Sequence, residues 1–276
     1  MADDVPGIAP DSFRMPPHVA FALWQKDGLS ADGLLRAFAT WPAWHVRAAT
    51  PPVGGGPPRV ALEGDADPAE GTPAVHAWAF EDLRAAQDAL GEDARLLELP
   101  GWVLFSVPAS GEHIGVLLHL GEHGDPVHYR PVQRGLLLAW ADVAAVETAL
   151  LHPEDTLDAL GLLHGYPAWQ VPLLRHPDGS MGLFPAPDDD GRVLVTVLTS
   201  PDLQAGFQET LLSAGLLPPD AWEVLGGGAL FELLRGSNAE GLVVNPLTSM
   251  QPRALRRDIA DAVLARAPLR MASPRH

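Results

Sequence analysis

Cysteine is absent from the 276 residues. That excludes disulfides, thiol nucleophiles, iron–sulfur clusters and thiolate zinc sites together. Basic residues are scarce: 18 Lys and Arg stand against 35 Asp and Glu, a formal net charge of −17. A field of that sign repels phosphate backbones and anionic lipid, which argues against nucleic-acid binding and polybasic membrane anchoring. Long apolar runs are missing as well, since none reaches the ~18 residues that a membrane-spanning helix needs. The opening residues, Met1-Ala-Asp-Asp-Val-Pro6, are acidic and broken by proline. A secretion signal would carry basic residues there, followed by an apolar stretch. These absences lead us to expect a cytoplasmic protein without metal or cofactor.

Glycine and proline are plentiful, at 27 and 28 copies, and favour many short elements joined by fixed turns over a long helical bundle. Apolar residues make up 47% and charged residues 19%, a balance able to bury a core. The length leaves room for one large domain or two of ordinary size.

Laid against itself, the chain repeats. Trp41-Pro-Ala-Trp44-His-Val46 returns as Tyr166-Pro-Ala-Trp169-Gln-Val171 at an offset of 125. Residues 75–83 lie against 195–203 at 120; Leu104-Phe105 meets Leu230-Phe231, and 115–118 meets 241–244, both at 126. Matching blocks in one order predict a tandem duplication with domains 1–152 and 153–276, divided at His152-Pro153-Glu154. The repeated aromatics Trp41, Trp44, Tyr166 and Trp169 read as core.

In the first copy Ser30 caps a helix bearing Leu34, Leu35 and Phe38. Strands are expected at 43–49, 59–63, 75–80, 102–107 and 113–120, with short segments at 127–130 and 135–140. Helices are expected over 81–90, with Leu83, Ala86 and Leu90 inward, and over 142–151. In the second copy helices cover 155–163, 201–214, 229–235 and 252–267, the second of them starting after a Thr199 or Ser200 cap. Strands cover 169–175, 182–184, 192–199 and 241–245. In the closing helix Leu255, Ile259, Val263 and Ala267 stack at i, i+4 spacing. Strands and helices interleave in both halves, so the fold class is α/β (α+β), with a mixed sheet in each of two similar domains. The stretches 51–58 and 63–73 read as loops. Asp188-Asp-Asp190-Gly191 reads as a turn, lacking the Glu that closes a calcium loop.

One motif bears on chemistry. His119-Leu-Gly-Glu122-His123 fits H-x-x-E-H, the inverted zinc-peptidase pattern. That chemistry needs both imidazoles on one helix face and the Glu beside the metal-bound water. Gly121 within the motif and Gly124-Asp125-Pro126 directly after it oppose a helix, and the repeat sets His119 at a strand end. The preferred reading is a His-rich hairpin also carrying His113 and His128. A metal-dependent hydrolase using His119, Glu122 and His123 is an alternative. No G-x-S-x-G or S-x-x-K nucleophile pattern occurs.

Gly241-Leu-Val-Val-Asn245-Pro246, following the apolar helix 229–234, resembles the SseB family, where a Gly-apolar-apolar-apolar-Asn-Pro segment precedes a helix. Trp169-Gln-Val-Pro172 and the stretch 192–203 are similar to the same family. There Leu198-Thr199-Ser200 departs from Phe-Thr-Ser in one residue. The likeness spans about residues 158–265 and, more faintly, 32–150, where Trp78-Ala-Phe80 and His119-Leu120 replace the two signatures. The resemblance implies tandem SseB-type domains in a non-enzymatic bacterial accessory protein that works through protein contacts. It brings no catalytic residue.

Across 253–276 six arginines face only Asp258 and Asp261. On an acidic chain such a segment can steer an acidic protein partner. Asn245, Pro246, Arg253, Arg256 and Arg257 are therefore candidate partner-binding residues, the arginines expected on the closing helix. A small-ligand site in the cleft between the halves is a further alternative.

Overall fold

The computed structural model describes residues 15–50, 59–67, 72–153, 156–187, 191–248, 250, 252–269 and 271–272. The expectations at 1–6, 51–58 and 188–190 lie outside them. The chain divides into two compact units, Met1–Ala144 and Ala145–His276, ahead of the expected 152/153 boundary.

In the first unit, β5 (Ile114–Leu120) is an almost unbroken apolar run, buried except at His119. Such a run belongs inside a sheet covered on both faces. It pairs parallel with β3 (Thr72–Phe80), Phe80 opposite His119, and antiparallel with β6 (Asp125–Tyr129). β1 (Trp44–Arg47) is antiparallel to the end of β3 and to β4 (Leu96–Leu99), while β2 (Leu62–Asp67) joins the start of β3. The order is β4-β1-β3-β5-β6. Alternation along β1 and β3 sends Trp44 and Phe80 to opposite faces. On one, Trp44 is fully buried and its indole N–H donates to the Phe38 carbonyl of α2 (Ala31–Thr40) at 3.1 Å. On the other, Phe80 packs on Ala85 and Ala86 of α3 (Leu83–Leu90). α1 (Pro17–Trp24) precedes this layer, α4 (Gly101–Ser106) follows β4, and α5 (Arg134–Leu151) runs on into the second unit.

The second unit contains α6 (Ala159–Gly165), β7 (Trp169–Arg175), β8 (Met181–Leu183), β9 (Pro185–Pro187), β10 (Val193–Val197) and α7 (Leu203–Ser213). After these come β11 (Ala221–Leu225), α8 (Gly227–Gly236), β12 (Gly241–Val244), β13 (Arg253–Arg256) and α9 (Asp258–Leu264). Its strands form a mixed sheet, β13-β12-β10-β9, and an antiparallel one, β11-β7-β8, where one mixed sheet was expected, yet the pairings repeat those of the first unit. Trp44 opposite Leu99 becomes Trp169 opposite Leu225. His45 opposite Phe80 becomes the bridge between Gln170 and Leu198. Leu62 opposite Ala77 becomes Pro185 opposite Val195, and the parallel pair His76–Gly115 becomes Leu194–Gly241. Val116 opposite Tyr129 becomes Leu242 opposite Leu255.

Two glycines make the correspondence specific. A Cβ on Gly101 would stand 2.1 Å from the Phe38 carbonyl oxygen, and one on Gly227 2.1 Å from that of Leu163. Both amides donate at 2.7 Å to the carbonyl of the first aromatic of the repeat, Trp41 or Tyr166. Only glycine lets the start of α4 or α8 approach the preceding helix so closely. Beyond each glycine, Leu104-Phe105 and Leu230-Phe231 are fully buried.

Several expectations are corrected. Residues 102–107 form a helix, not a strand, because Leu104 and Phe105 both face the core; in a strand, neighbours point apart. Residues 135–140 belong to α5, and of the loop expected at 63–73, β2 takes the part up to Asp67 and β3 the part from Thr72. On α3, Leu83 is 46% exposed and Ala85 and Ala86 turn inward. The β3 repeat aligns at 118, not 120, since two extra residues separate β10 from α7. α7 begins at Leu203, past the expected Thr199/Ser200 cap. Most consequentially, Arg253–Arg256 is a strand paired with β12. Its residues are helix formers, but ladder hydrogen bonds and the burial of neighbouring strands override local propensity.

Candidate functional site

Each unit has one parallel strand pair, and in α/β sheets ligands gather at the carboxyl ends of such strands. In the first unit this end carries Glu81, just past β3, and His119 of β5. The Glu81 side chain is only 5% exposed, and its carboxylate is met from three directions. The backbone N–H of His18 donates at 3.1 Å, that of Gly121 at 2.8 Å, and the His18 ring at Nδ1 at 2.6 Å. Charge-assisted bonds of this kind compensate a buried carboxylate. The Glu81 N–H in turn extends the ladder to the His119 carbonyl at 2.9 Å.

His119 stacks on Phe80, with ring centroids 4.2 Å apart and planes 8° from parallel. Its Nδ1–H donates to the Gly124 carbonyl at 3.1 Å. Burial lowers its pKa below 6.5; the Gly124 hydrogen bond opposes the shift and His128 adds to it. The rest of the H-x-x-E-H motif is not helical. Leu120 ends β5, and Gly121 and Gly124, both at φ +64°, shape a turn on which Glu122 and His123 are exposed. His113 and His128 are exposed too, and His128 meets His76 edge-on at 5.7 Å. Among the described residues no three His, Asp or Glu side chains converge as metal ligands would.

The equivalent end of the second unit carries Thr199 and Asn245. Asn245, at φ +53°, is buried in the left-handed region that Asn tolerates best after glycine. Its Oδ1 accepts the Thr199 N–H at 2.9 Å, and its Nδ2 donates to the Thr199 hydroxyl at 3.0 Å. That hydroxyl donates to Glu147 Oε1 at 2.7 Å. The Thr199 carbonyl accepts from the Tyr166 hydroxyl. Glu147, on the last turns of α5, thus stands to Thr199 as His18 of α1 stands to Glu81. Pro246 opens the turn after Asn245, and the Thr248 hydroxyl closes it onto the Asn245 carbonyl at 2.9 Å.

The three arginines do not share a helix face. Arg253 and Arg256 lie on β13, and Arg257 precedes α9. Arg253 is half-buried beside Glu147 and Asn245, and its guanidinium reaches the Leu151 carbonyl at 3.4 Å. Arg257 donates to the Arg235 carbonyl at 2.5 Å, and Arg256 is exposed. Asn245 and Arg253 therefore line one hollow, while Arg257 lies against Arg235.

The sequence reading missed Glu81, His18 and Glu147. The available signal for His18 was Pro16-Pro17 ahead of an apolar octet, since proline favours the first helical turn. Glu147 gave none, being one of two acids in a long apolar helix.

The chain matches no family model, no curated protein and no solved structure significantly.

Proposed function

We propose that the chain is a cytoplasmic accessory protein of SseB type, acting through protein contacts and without catalysis of its own. One observation supports this reading. At the parallel strand ends Glu81, Thr199 and Asn245 are taken up by partners within their own unit: Glu81 by three N–H groups, Asn245 and Thr199 by each other and Glu147. Groups held in this way complete the backbone and one another, as buried polar groups must. They are not presented to a substrate. A hydrolase built on His119, Glu122 and His123 would need a helix where the chain has a strand and a turn.

Two measurements on the full chain test the reading. Elemental analysis is expected to find no stoichiometric zinc, and cross-linking in the native host is expected to join the second unit to a protein partner. Stoichiometric zinc lost in His119→Ala, together with peptide or ester hydrolysis lost in the same variant, would overturn it.

Among the described residues no helix is long and apolar enough to cross a membrane. The net charge of −17 weighs against a nucleic-acid partner.

A further inference from the structure

The outer strands of the two sheets that contain a parallel pair, β6 and β13, are equivalent, and they end differently. In β13 the Arg257 N–H donates to the Glu240 carbonyl, and the Asn245 N–H turns to Val197 on the far side of β12. With Leu255 opposite Leu242 and Arg253 opposite Val244, alternation turns the backbone groups of Arg253 and Leu255 toward β12. Those of Ala254 and Arg256 therefore face outward. In β6 and the residue after it, His128 and Arg130 hold the equivalent outward positions. There Gln133 closes the edge: its side-chain oxygen accepts the Arg130 N–H at 2.9 Å, and its own N–H donates to the Arg130 carbonyl at 2.9 Å. The counterpart of Gln133 is Ile259, whose side chain has no acceptor for the Arg256 N–H. Ala254 and Arg256 are exposed, and among the described residues the outward edge of β13 has no such closure.

An open strand edge is a template for another strand. We propose that β13 takes up an extended acidic segment of a partner protein by strand addition, the mode in which main-chain bonds give affinity and flanking side chains give selectivity. The inference rests on the protein-contact reading above and names the partner's chemistry. Arg253, Arg256 and Arg257 fall within five positions that contain no acid. The next acids in sequence, Asp258 and Asp261, lie in the first turn of α9, where the helix's own amides favour them; Glu147 stands beside Arg253, so the exposed Arg256 carries the selectivity. Glu232 is already paired with Arg235. Pairing of β13 with β13 of a second copy would bring the Arg256 side chains into one small patch, which like-charge repulsion opposes.

The probe is a capped peptide of alternating Glu and Val, compared with its Lys counterpart, added to the full chain at low salt. Binding is followed by fluorescence anisotropy and by amide exchange. The Glu peptide is expected to slow exchange at Ala254 and Arg256 by at least about tenfold, as new ladder bonds do, and the Lys peptide to have no effect. Arg256→Pro removes one outward N–H and leaves the inward ladder whole, so it abolishes binding while Leu255 stays protected. Arg256→Glu weakens binding at least about tenfold. Three results would overturn the proposal: no protection of these amides by the Glu peptide, equal binding by Arg256→Pro, or concentration-dependent protection without peptide, which would mark self-association. If a cellular partner cross-links equally to Arg256→Pro, this edge is excluded and the protein-contact reading survives. Zinc-dependent hydrolysis would remove that reading and leave the peptide result to stand or fall alone.

Discussion

At the carboxyl end of its parallel strand pair the first unit holds Glu81 beside His119, and the second holds Thr199 beside Asn245. One end is finished by a buried carboxylate drawing N–H groups from α1 and a turn. The other is finished by an amide and a hydroxyl that close on each other. In the second, the acid arrives from the helix, as Glu147, and the strand supplies the hydroxyl. The pairings beneath correspond, though the first unit holds its strands in one sheet and the second in two. Register and close helix approach define this fold, and the side chains at the strand ends differ freely provided every buried N–H and carbonyl finds a partner.

The sharpest way to break the comparison is at the paired glycines. Gly101→Ala and Gly227→Ala are each expected to destabilise their own unit by about 3 kcal/mol, because the added carbon meets a backbone carbonyl that cannot move aside. In an exposed helix the same change stabilises by roughly 1 kcal/mol, so the sign is diagnostic. Denaturant unfolding, assigned to each unit by amide exchange, measures both. If one alanine is tolerated and the other is not, the units are not equivalent at this contact.

A smaller effect separates the strand ends. Asn245→Ala leaves the Thr199 N–H without its acceptor and places alanine at φ +53°, a combined cost of about 2–3 kcal/mol. Asn245→Gly recovers the conformational part only. Equal stabilities for the two variants would mean that the left-handed backbone costs nothing here.

The sequence carried the repeat and the α/β class, since the aromatic-Pro-Ala-Trp blocks and the glycines of β5 and β12 are local signals. It did not carry β13. Pro252-Arg-Ala-Leu-Arg-Arg reads as a helix start until β12 is known to lie beside it, and pairing partners are not local. For the same reason the arginines were placed on a helix face. His119 was set correctly at a strand end, because glycines on either side of Glu122-His123 forbid the helix that the motif needs. The partners of Glu81 escaped notice because His18 and Gly121 lie 63 and 40 residues away.

The smallest expected difference is one of pH. Folding buries the His119 ring and lowers its pKa below the ordinary 6.5. The unfolded chain then takes up a proton that the folded unit resists. The stability this ring contributes is full above about pH 6.5 and is lost as pH falls from there toward the lowered folded value. His119→Asn, which imports the residue of the second unit, should flatten this part of the profile. Urea midpoints for the first unit between about pH 8 and about pH 5 test it. A slope unchanged by the substitution would assign the acid sensitivity to another group.

α5 begins after β6 as the closing helix of one repeat and ends with Glu147 as the opening helix of the next. A gene cut at the apparent seam, with the second fragment starting at residue 153, would strip that fragment of the acid that receives the Thr199 hydroxyl. The two units are thus not interchangeable beads: one helix serves both, and neither unit is expressed intact without a share of it.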